Sequence, residues 1–444
     1  MLEMKSWRIA ALVILGMTCL CHARAATTGR RQPNIIYIML DDAGYGDFGA
    51  FGSPYVKTPH FDRLCAEGMT FTNHYSGSAV CAPTRCVLMT GLHTGHCRRR
   101  DNTAKALTQE LSKKNGRPLV FLEDSDVTVA EALQDAGYFT AGVGKWGLGN
   151  PGSAGVPEKQ GFDYWYGYLD QVHAHDHFPD EIWDGGKMVS VPGNQNKKKE
   201  TYIPYEQERK TLELICQNKS RPFFLYVAVT PPHGAYIIPE TDPAFAMYEG
   251  IPGSKQVQHY AAMITRTDQM VGKILDTLSE LHLDEDTIIF YTSDNGPNAP
   301  FAKAIDSAGG LRGTKRLLYE GGIRAAMAAR WPGHIPAGKK SSFIWDMRDV
   351  FPSLCELAGT KTPANLDGIS VLPTLLGKQQ KSRDIHYWEI HSPFQQAVRY
   401  GDWKAIRFGT EEQLELYDLK NDPQEKQNVA ADNPTVVQKL ETFL

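Results

Sequence analysis

Three short apolar runs limit what this chain can become. They are Ile35-Ile36-Tyr37-Ile38-Met39-Leu40, Phe223-Phe224-Leu225-Tyr226-Val227-Ala228-Val229 and Thr287-Ile288-Ile289-Phe290-Tyr291-Thr292. Each is short for a core helix, rich in branched and aromatic residues, and nearly free of polar alternation. That pattern suits strands covered on both faces. Helical patterns lie between them, from Thr128 to Ala136, closed by Gly137, and from Tyr260 to Leu281. The alternation predicts an α/β fold, a large mixed and mostly parallel sheet sandwiched by helices. Ligands of such sheets bind beyond the carboxyl ends of the strands.

Each run ends in polar residues. Asp41-Asp42 comes after the first, Thr230-Pro231-Pro232-His233 after the second and Ser293-Asp294-Asn295-Gly296 after the third. A shorter run, Phe139 to Val143, leads into Gly144-Lys145-Trp146. Any one such aspartate is explained as a cap or turn former. Four polar strand ends together predict one site along one edge of the sheet.

A further stretch, Cys81-Ala82-Pro83-Thr84-Arg85, supplies a reactive side chain. Pro83 has a fixed φ and no N–H, so it suits the first turn of a helix. Cys81 then sits where free backbone N–H groups favour an anion. Arg85, about one turn further in, can aim its planar fork at the same anion. The plain alternative is a structural cysteine at a turn.

The remaining sequence sets the context. Its 444 residues carry 47 basic and 51 acidic side chains, a net charge of −4, and no basic block of a nucleic-acid binder. Arg98-Arg99-Arg100 and Lys197-Lys198-Lys199 read as solvated loops. Residues 1–25 resemble a secretory signal: Lys5 and Arg8, then an apolar Ile9 to Leu20, then Ala23-Arg24-Ala25. The expected location is therefore exported, periplasmic or extracellular, or lysosomal in a eukaryote, with no stable membrane partner. Of eight cysteines, Cys19 and Cys21 leave with the signal. If Cys81 is spent on chemistry, five remain, an odd count; pairing is not legible from sequence, and Cys86 with Cys97 is one guess. Asn218-Lys219-Ser220 is a glycosylation sequon in a eukaryotic host. From about Arg383, short aromatic runs with turns at Gly401-Asp402 and Asn421-Asp422-Pro423 predict a small antiparallel sheet, followed by a helix from Thr435. The expected division is a catalytic domain over 32–380 and a small α+β subdomain over 381–444.

The Cys81 frame, with Thr90-Gly91 after it, resembles the signature of the type I sulfatases, Cys-x-Pro-Ser/Ala-Arg followed by x-x-x-Leu-Thr-Gly. Thr84 and Met89 are mild departures. The resemblance runs from Pro33-Asn34-Ile35 to Leu416-Tyr417-Asp418-Leu419, points to the arylsulfatase and N-acetylgalactosamine-6-sulfatase kind, and implies an alkaline phosphatase-like fold. It implies that Cys81 is oxidised to formylglycine by a formylglycine-generating enzyme. It makes Asp41, Asp42, Asp294 and Asn295, with residue 81, the metal ligands. Side-chain oxygens alone suit a hard cation: calcium, with magnesium the nearest rival. It places Arg85 to hold the hydrate and the helix end, Lys145 and Lys315 as fixed charges at the sulfate, and His233 as general acid at the leaving group. In the implied reaction one hydroxyl of the hydrated aldehyde attacks sulfur, and the second lets the aldehyde reform as sulfate leaves.

One departure matters. Many family members read Gly-Lys-Trp-His-Leu-Gly, and here the histidine position is Gly147. His173 and His175, in His173-Ala174-His175-Asp176-His177, are the expected substrate-binding replacements; a histidine-rich surface metal site is the alternative. The implied activity is calcium-dependent hydrolysis of sulfate monoesters on a sulfated carbohydrate or aryl sulfate. The alternatives are a phosphomonoester or phosphonate hydrolase of the same superfamily and an inactive secreted binding homologue. Loops Asn102 to Gly116, His173 to Trp183 and Tyr236 to Pro252 are the expected substrate loops.

Overall fold

Strand Asn34–Leu40 divides its side chains between two cores. Ile36, Ile38 and Leu40 enter one apolar cluster, and Ile35, Tyr37 and Met39 enter another. That is the two-face burial expected of a run without polar alternation. The computed structural model describes residues 32–102 and 121–444. The signal-like segment 1–25 and most of the expected 102–116 substrate loop lie outside the described residues.

The strand lies near the middle of a ten-stranded sheet. Across the sheet the order is Lys339–Ser341, Met69–Phe71, Met327–Arg330, Thr287–Ser293, Asn34–Leu40, Phe223–Ala228, Phe139–Lys145, Tyr164–Tyr168, Glu181–Asp184 and Lys187–Ser190. The central strands, from Thr287–Ser293 to Tyr164–Tyr168, are all parallel. Antiparallel pairings flank this block on both sides. Helices Ile203–Gln217 and Lys255–Glu280 supply the first cluster, and Cys81–Thr90, Val129–Asp135 and Val350–Ala358 the second. Both faces are thus covered, and the strands' carboxyl ends open on one edge. No helix of the described residues is long and apolar enough to cross a membrane.

A second sheet runs in plain antiparallel order through Ile385–His391, Phe394–Tyr400, Trp403–Phe408 and Glu415–Asp418. One face packs Val398, Ala405 and Leu416 against Leu440 of helix Pro434–Glu441. The other packs Trp388, Ile390, Ala397 and Ile406 against Ala79, Val80, Leu318 and Ile323. Those partners border Cys81 and Lys315, so the C-terminal sheet buttresses two segments that the site needs.

Buried charge completes that contact. Lys404 Nζ lies 2.9 Å from both Glu320 and Glu425, and all three side chains are sealed from solvent. Burial raises Glu320, but Lys404 and Arg324 outweigh it and hold its carboxyl down at about 2. Burial pushes Glu425 up to about 7 against the pull of Lys404. Losing one member of a buried charge cluster strands the others, at about 3–5 kcal/mol. Lys404→Met is therefore expected to lower stability by about that amount. The folded state holds the Glu425 proton where the unfolded chain releases it, so this group's contribution falls as pH rises from the ordinary glutamate value through about 7. Denaturant unfolding at pH 5 and pH 8 checks both parts; the deficit should be larger at pH 8.

Candidate active site

Every polar strand end named from the sequence reaches one small volume. Asp41 and Asp42 follow Asn34–Leu40, Asp294 and Asn295 follow Thr287–Ser293, and Lys145 ends Phe139–Lys145. Parallel register does the assembling: Leu40 pairs with Ser293, so Asp41 and Asp294 leave the sheet side by side. Asp42 turns away at φ 71°, a left-handed conformation that aspartate tolerates. Its N–H donates to Asp294 Oδ1 at 3.0 Å. Gly296 lets the next loop lie on its neighbour: an added Cβ would meet the Gly321 carbonyl oxygen at 1.9 Å.

Helix Cys81–Thr90 brings its first residue to the same point. Cys81 Sγ donates to Asp41 Oδ1 at 3.2 Å and accepts from Lys315 Nζ at 3.4 Å. Arg85 spans the floor, donating to the Lys145 carbonyl at 2.6 Å and to Asp294 Oδ2 at 3.0 Å. Lys145 Nζ donates to Asp41 Oδ2, and Lys315 Nζ to Asp42 Oδ2 at 2.6 Å. His233 lies between the acids, with Nδ1 3.7 Å from Asp41 and Nε2 3.4 Å from Asp42.

Three acids and three cations are buried together, which sets their protonation. Burial raises Asp41, but Lys145, His233 and Arg85 outweigh it and hold the carboxyl well below the usual range. Asp42 is lowered likewise, with His233 and Lys315 overcoming burial. Asp294 goes the other way: burial, then the Asp41 charge, push it up to about 7. Burial also drives His233 down to about 3, so its imidazole is neutral. The Cys81 thiol is pushed far up by burial and by Asp41.

The same residues fit a hard cation. Ligand atoms of Asp41, Asp42, Cys81 and Asp294 all lie within 4.8 Å of one another. Asn295 Oδ1 is a buried acceptor without a hydrogen-bond partner among the described residues, while its amide nitrogen donates to Asp42 Oδ1 at 2.7 Å. An orphaned buried oxygen beside three carboxylates is a cation donor set.

The two expected histidines part company. His175 is exposed beside the site, its ring edge-on to His233 at 4.5 Å; burial first, then the Lys145 charge, lower its proton affinity. His173 packs edge-on against Tyr168 at 5.2 Å. Gly147 has a physical reason: its φ is +80°, and a Cβ would meet Gln171 Nε2 at 1.9 Å. That amide nitrogen is buried and unpartnered among the described residues.

Sequence reasoning missed two supports. His177 Nε2 lies 2.9 Å from the His233 carbonyl and, kept neutral by burial, donates to it. Asn298 donates to Asp42 Oδ2 at 2.9 Å and to Tyr236 Oη at 2.7 Å. The only signal was adjacency, His177 to the His173–His175 cluster and Asn298 to Asp294-Asn295. Arg99, read as part of a solvated loop, is buried, with its guanidinium 6.0 Å from the Phe121 ring centroid.

Two family models match this chain: Sulfatase over residues 33–360, and N-sulphoglucosamine sulphohydrolase, C-terminal, over 313–443. The chain is 34% identical to N-acetylgalactosamine-6-sulfatase of Homo sapiens over 82% of its own length and 69% of the relative's. It is 29% identical to N-acetylgalactosamine-6-O-sulfatase of Bacteroides thetaiotaomicron, covering 93% of each. A crystal structure of Ps i-CgsB in complex with k-i-k-neocarrahexaose superposes with a TM-score of 0.79 at 27% identity, again over 93% of each chain.

Because Asp294 keeps a proton up to about 7, a cation must displace it. Affinity for a divalent cation is therefore expected to weaken as pH falls below about 7, with about one proton released per cation bound. Titration calorimetry at pH 6 in buffers of different ionisation enthalpy measures that release. Asp294→Asn should remove it.

Proposed function

We propose, on the premise that this chain belongs to the sulfatase family and is a sulfuric ester hydrolase, that it cleaves a sulfate monoester on a saccharide. In this reading residue 81 acts as formylglycine, and calcium is held by Asp41, Asp42, Asp294 and Asn295. The observation that carries it is the setting of the Cys81 side chain. It starts a helix, touches Asp41 and Lys315, and shares Asp41 with Lys145.

The charges favour an anionic substrate. Asp41, Asp42 and Asp294 contribute −3 when ionised, Arg85, Lys145 and Lys315 contribute +3, and the two sets cancel. A divalent cation leaves the site at +2, ready for a sulfate ester. When bound, that cation supplies Lewis-acid stabilisation of charge at the reacting centre. Oxidation of Cys81 supplies a hydrated carbonyl with two hydroxyls where the thiol has one S–H.

The chain's own groups divide the remaining work. Lys145 and Lys315 approach residue 81 from the Asp41 and Asp42 sides and stabilise charge on the sulfate oxygens. Arg85, locked at two points, fixes the floor beneath residue 81. His233 is held through its carbonyl by His177; its imidazole is neutral in this structure, so it must take up a proton before it can act as general acid at the leaving oxygen. His175 lines the entrance and meets the saccharide. The similarity to N-acetylgalactosamine-6-sulfatases makes 6-sulfated N-acetylgalactosamine the first substrate to test. The signal-like N-terminus supports export, where such saccharides occur.

Matured enzyme is expected to release sulfate from that sugar or from an aryl sulfate far faster than phosphate from the matching phosphate ester. The reverse preference would assign a phosphoesterase, and no turnover of either a binding protein. Mass spectrometry of the Cys81 peptide should show the sulfur gone. Lys145→Ala and Lys315→Ala should each lower kcat by about 10²–10³-fold. His175→Ala should lower kcat/KM while His173→Ala stays near wild type, measured by initial-rate kinetics.

A further inference from the structure

A second group of ligand-bearing side chains stands just past the other end of the helix that starts at Cys81. His93, His96 and Asp367 each offer one ligand atom, and these atoms lie within 4.8 Å of one another. His96 Nδ1 is 2.9 Å from Asp367 Oδ1 and 3.0 Å from Oδ2, and His93 Nε2 is 3.7 Å from Oδ2. Two atoms held at roughly 2.0–2.2 Å by one tetrahedral ion stand about 3.3–3.5 Å apart. The measured separations fall on either side of that spacing. The two rings lie against each other, with centroids 4.1 Å apart.

The surroundings favour a cation. Arg348 pairs with Asp346 at 2.7 Å and Arg383 with Asp349 at 2.7 Å, while Arg383 Nη1 donates to the Asp367 carbonyl at 3.1 Å. Three aspartates and two guanidiniums leave −1, and the ion-pair partners of the Asp367 carboxylate are the two histidines. Burial, then the Arg348 charge, hold His93 down at about 4, so its imidazole is neutral, the form that ligates a metal. The His93 and Asp367 side chains are 17% and 20% exposed and that of His96 is 61% exposed, so an ion reaches them from solvent.

From these distances and the surplus acid we infer that His93, His96 and Asp367 bind a borderline divalent cation, zinc above all, with water completing its shell. Two imidazoles and one carboxylate suit zinc, copper or nickel, whereas the oxygen ligands at the strand ends suit calcium. Coordination through His93 Nε2 places the ring proton on Nδ1. The Gly95 N–H that Nδ1 accepts at 3.0 Å then turns to solvent, which its partly exposed turn permits. The ion ties this turn to a loop 271 residues away in the chain. Hydrogen bonds already join the two. The N–H groups of Asp367 and Gly368 donate to the Gly91 carbonyl at 3.1 and 3.2 Å, and the His93 N–H donates to Asp367 Oδ2 at 2.9 Å. Gly91 caps the helix that starts at Cys81, so zinc holds the far end of that helix. Its binding involves neither sulfate nor residue 81, and it stands or falls apart from the function proposed above.

Zinc titration calorimetry tests the site, on full-length, tag-free protein saturated with calcium. The wild type is expected to bind one zinc per chain more than His96→Ala does. Zinc should raise the Tm of the wild type and leave that of His96→Ala unmoved. His96 is mostly exposed, so its truncation leaves the packing intact. Asp367→Asn, which still accepts the His93 N–H, should weaken zinc binding by more than the roughly 10–100-fold that loss of an outer-shell partner costs. Diffraction at the zinc edge should place the ion among the three side chains. No zinc bound by the wild type, or equal stoichiometry and affinity in the wild type and both variants, overturns the proposal. Bound zinc that leaves the wild-type Tm unchanged would keep the site and overturn the tie.

Discussion

Three carboxylates share one dry pocket, and the architecture around them reflects the cost of that. Asp41, Asp42 and Asp294 have no solvent exposure, and each is close enough to the others to act on its charge. Left alone they would take up protons. Arg85, Lys145 and Lys315 prevent this for two of the three. Each cation arrives on a separate element: a helix, a strand end and a loop. The site therefore exists only when the sheet, the Cys81 helix and the segment around Lys315 are all in register. A buried charge network is weak evidence for stability. Here its energetic cost is sustained by the two large apolar clusters on either face of the sheet.

The C-terminal sheet belongs to the same logic. Its apolar face meets residues next to Cys81 and Lys315, and Lys404 pairs with Glu320 a few residues beyond Lys315. Glu320 also accepts from Tyr75 Oη at 2.7 Å, which ties the segment before Cys81 to the same carboxylate. A region without any of the reacting groups thus fixes the positions of two of them.

The sheet and the site were legible in the sequence for one reason. Near-continuous apolar runs name strands, and the polar residues after Leu40, Val143 and Thr292 mark the edge where parallel strands end. The roles given to Lys315 and His233 came through resemblance, since a lone lysine or histidine has no signature of its own. His177, Asn298 and the Glu320–Lys404–Glu425 cluster were not legible. Their partners lie far away in the chain, and nothing in local periodicity encodes such contacts. Arg99 misled for the same reason: three arginines in a row read as solvated, whereas packing buries the middle one. The Gly147 departure could be seen, but not the left-handed backbone at that position, φ +80°.

The central claim is that residue 81 and a hard cation form one reacting centre between the two acidic strand ends. Crystals of the mature enzyme, with diffraction collected for the anomalous signal of the cation, test it most directly. The predicted result is a peak ligated by Asp41, Asp42, Asp294 and Asn295, with oxygen rather than sulfur on the side chain of residue 81. An active enzyme that keeps sulfur at residue 81, or that binds no cation among those four side chains, would contradict it.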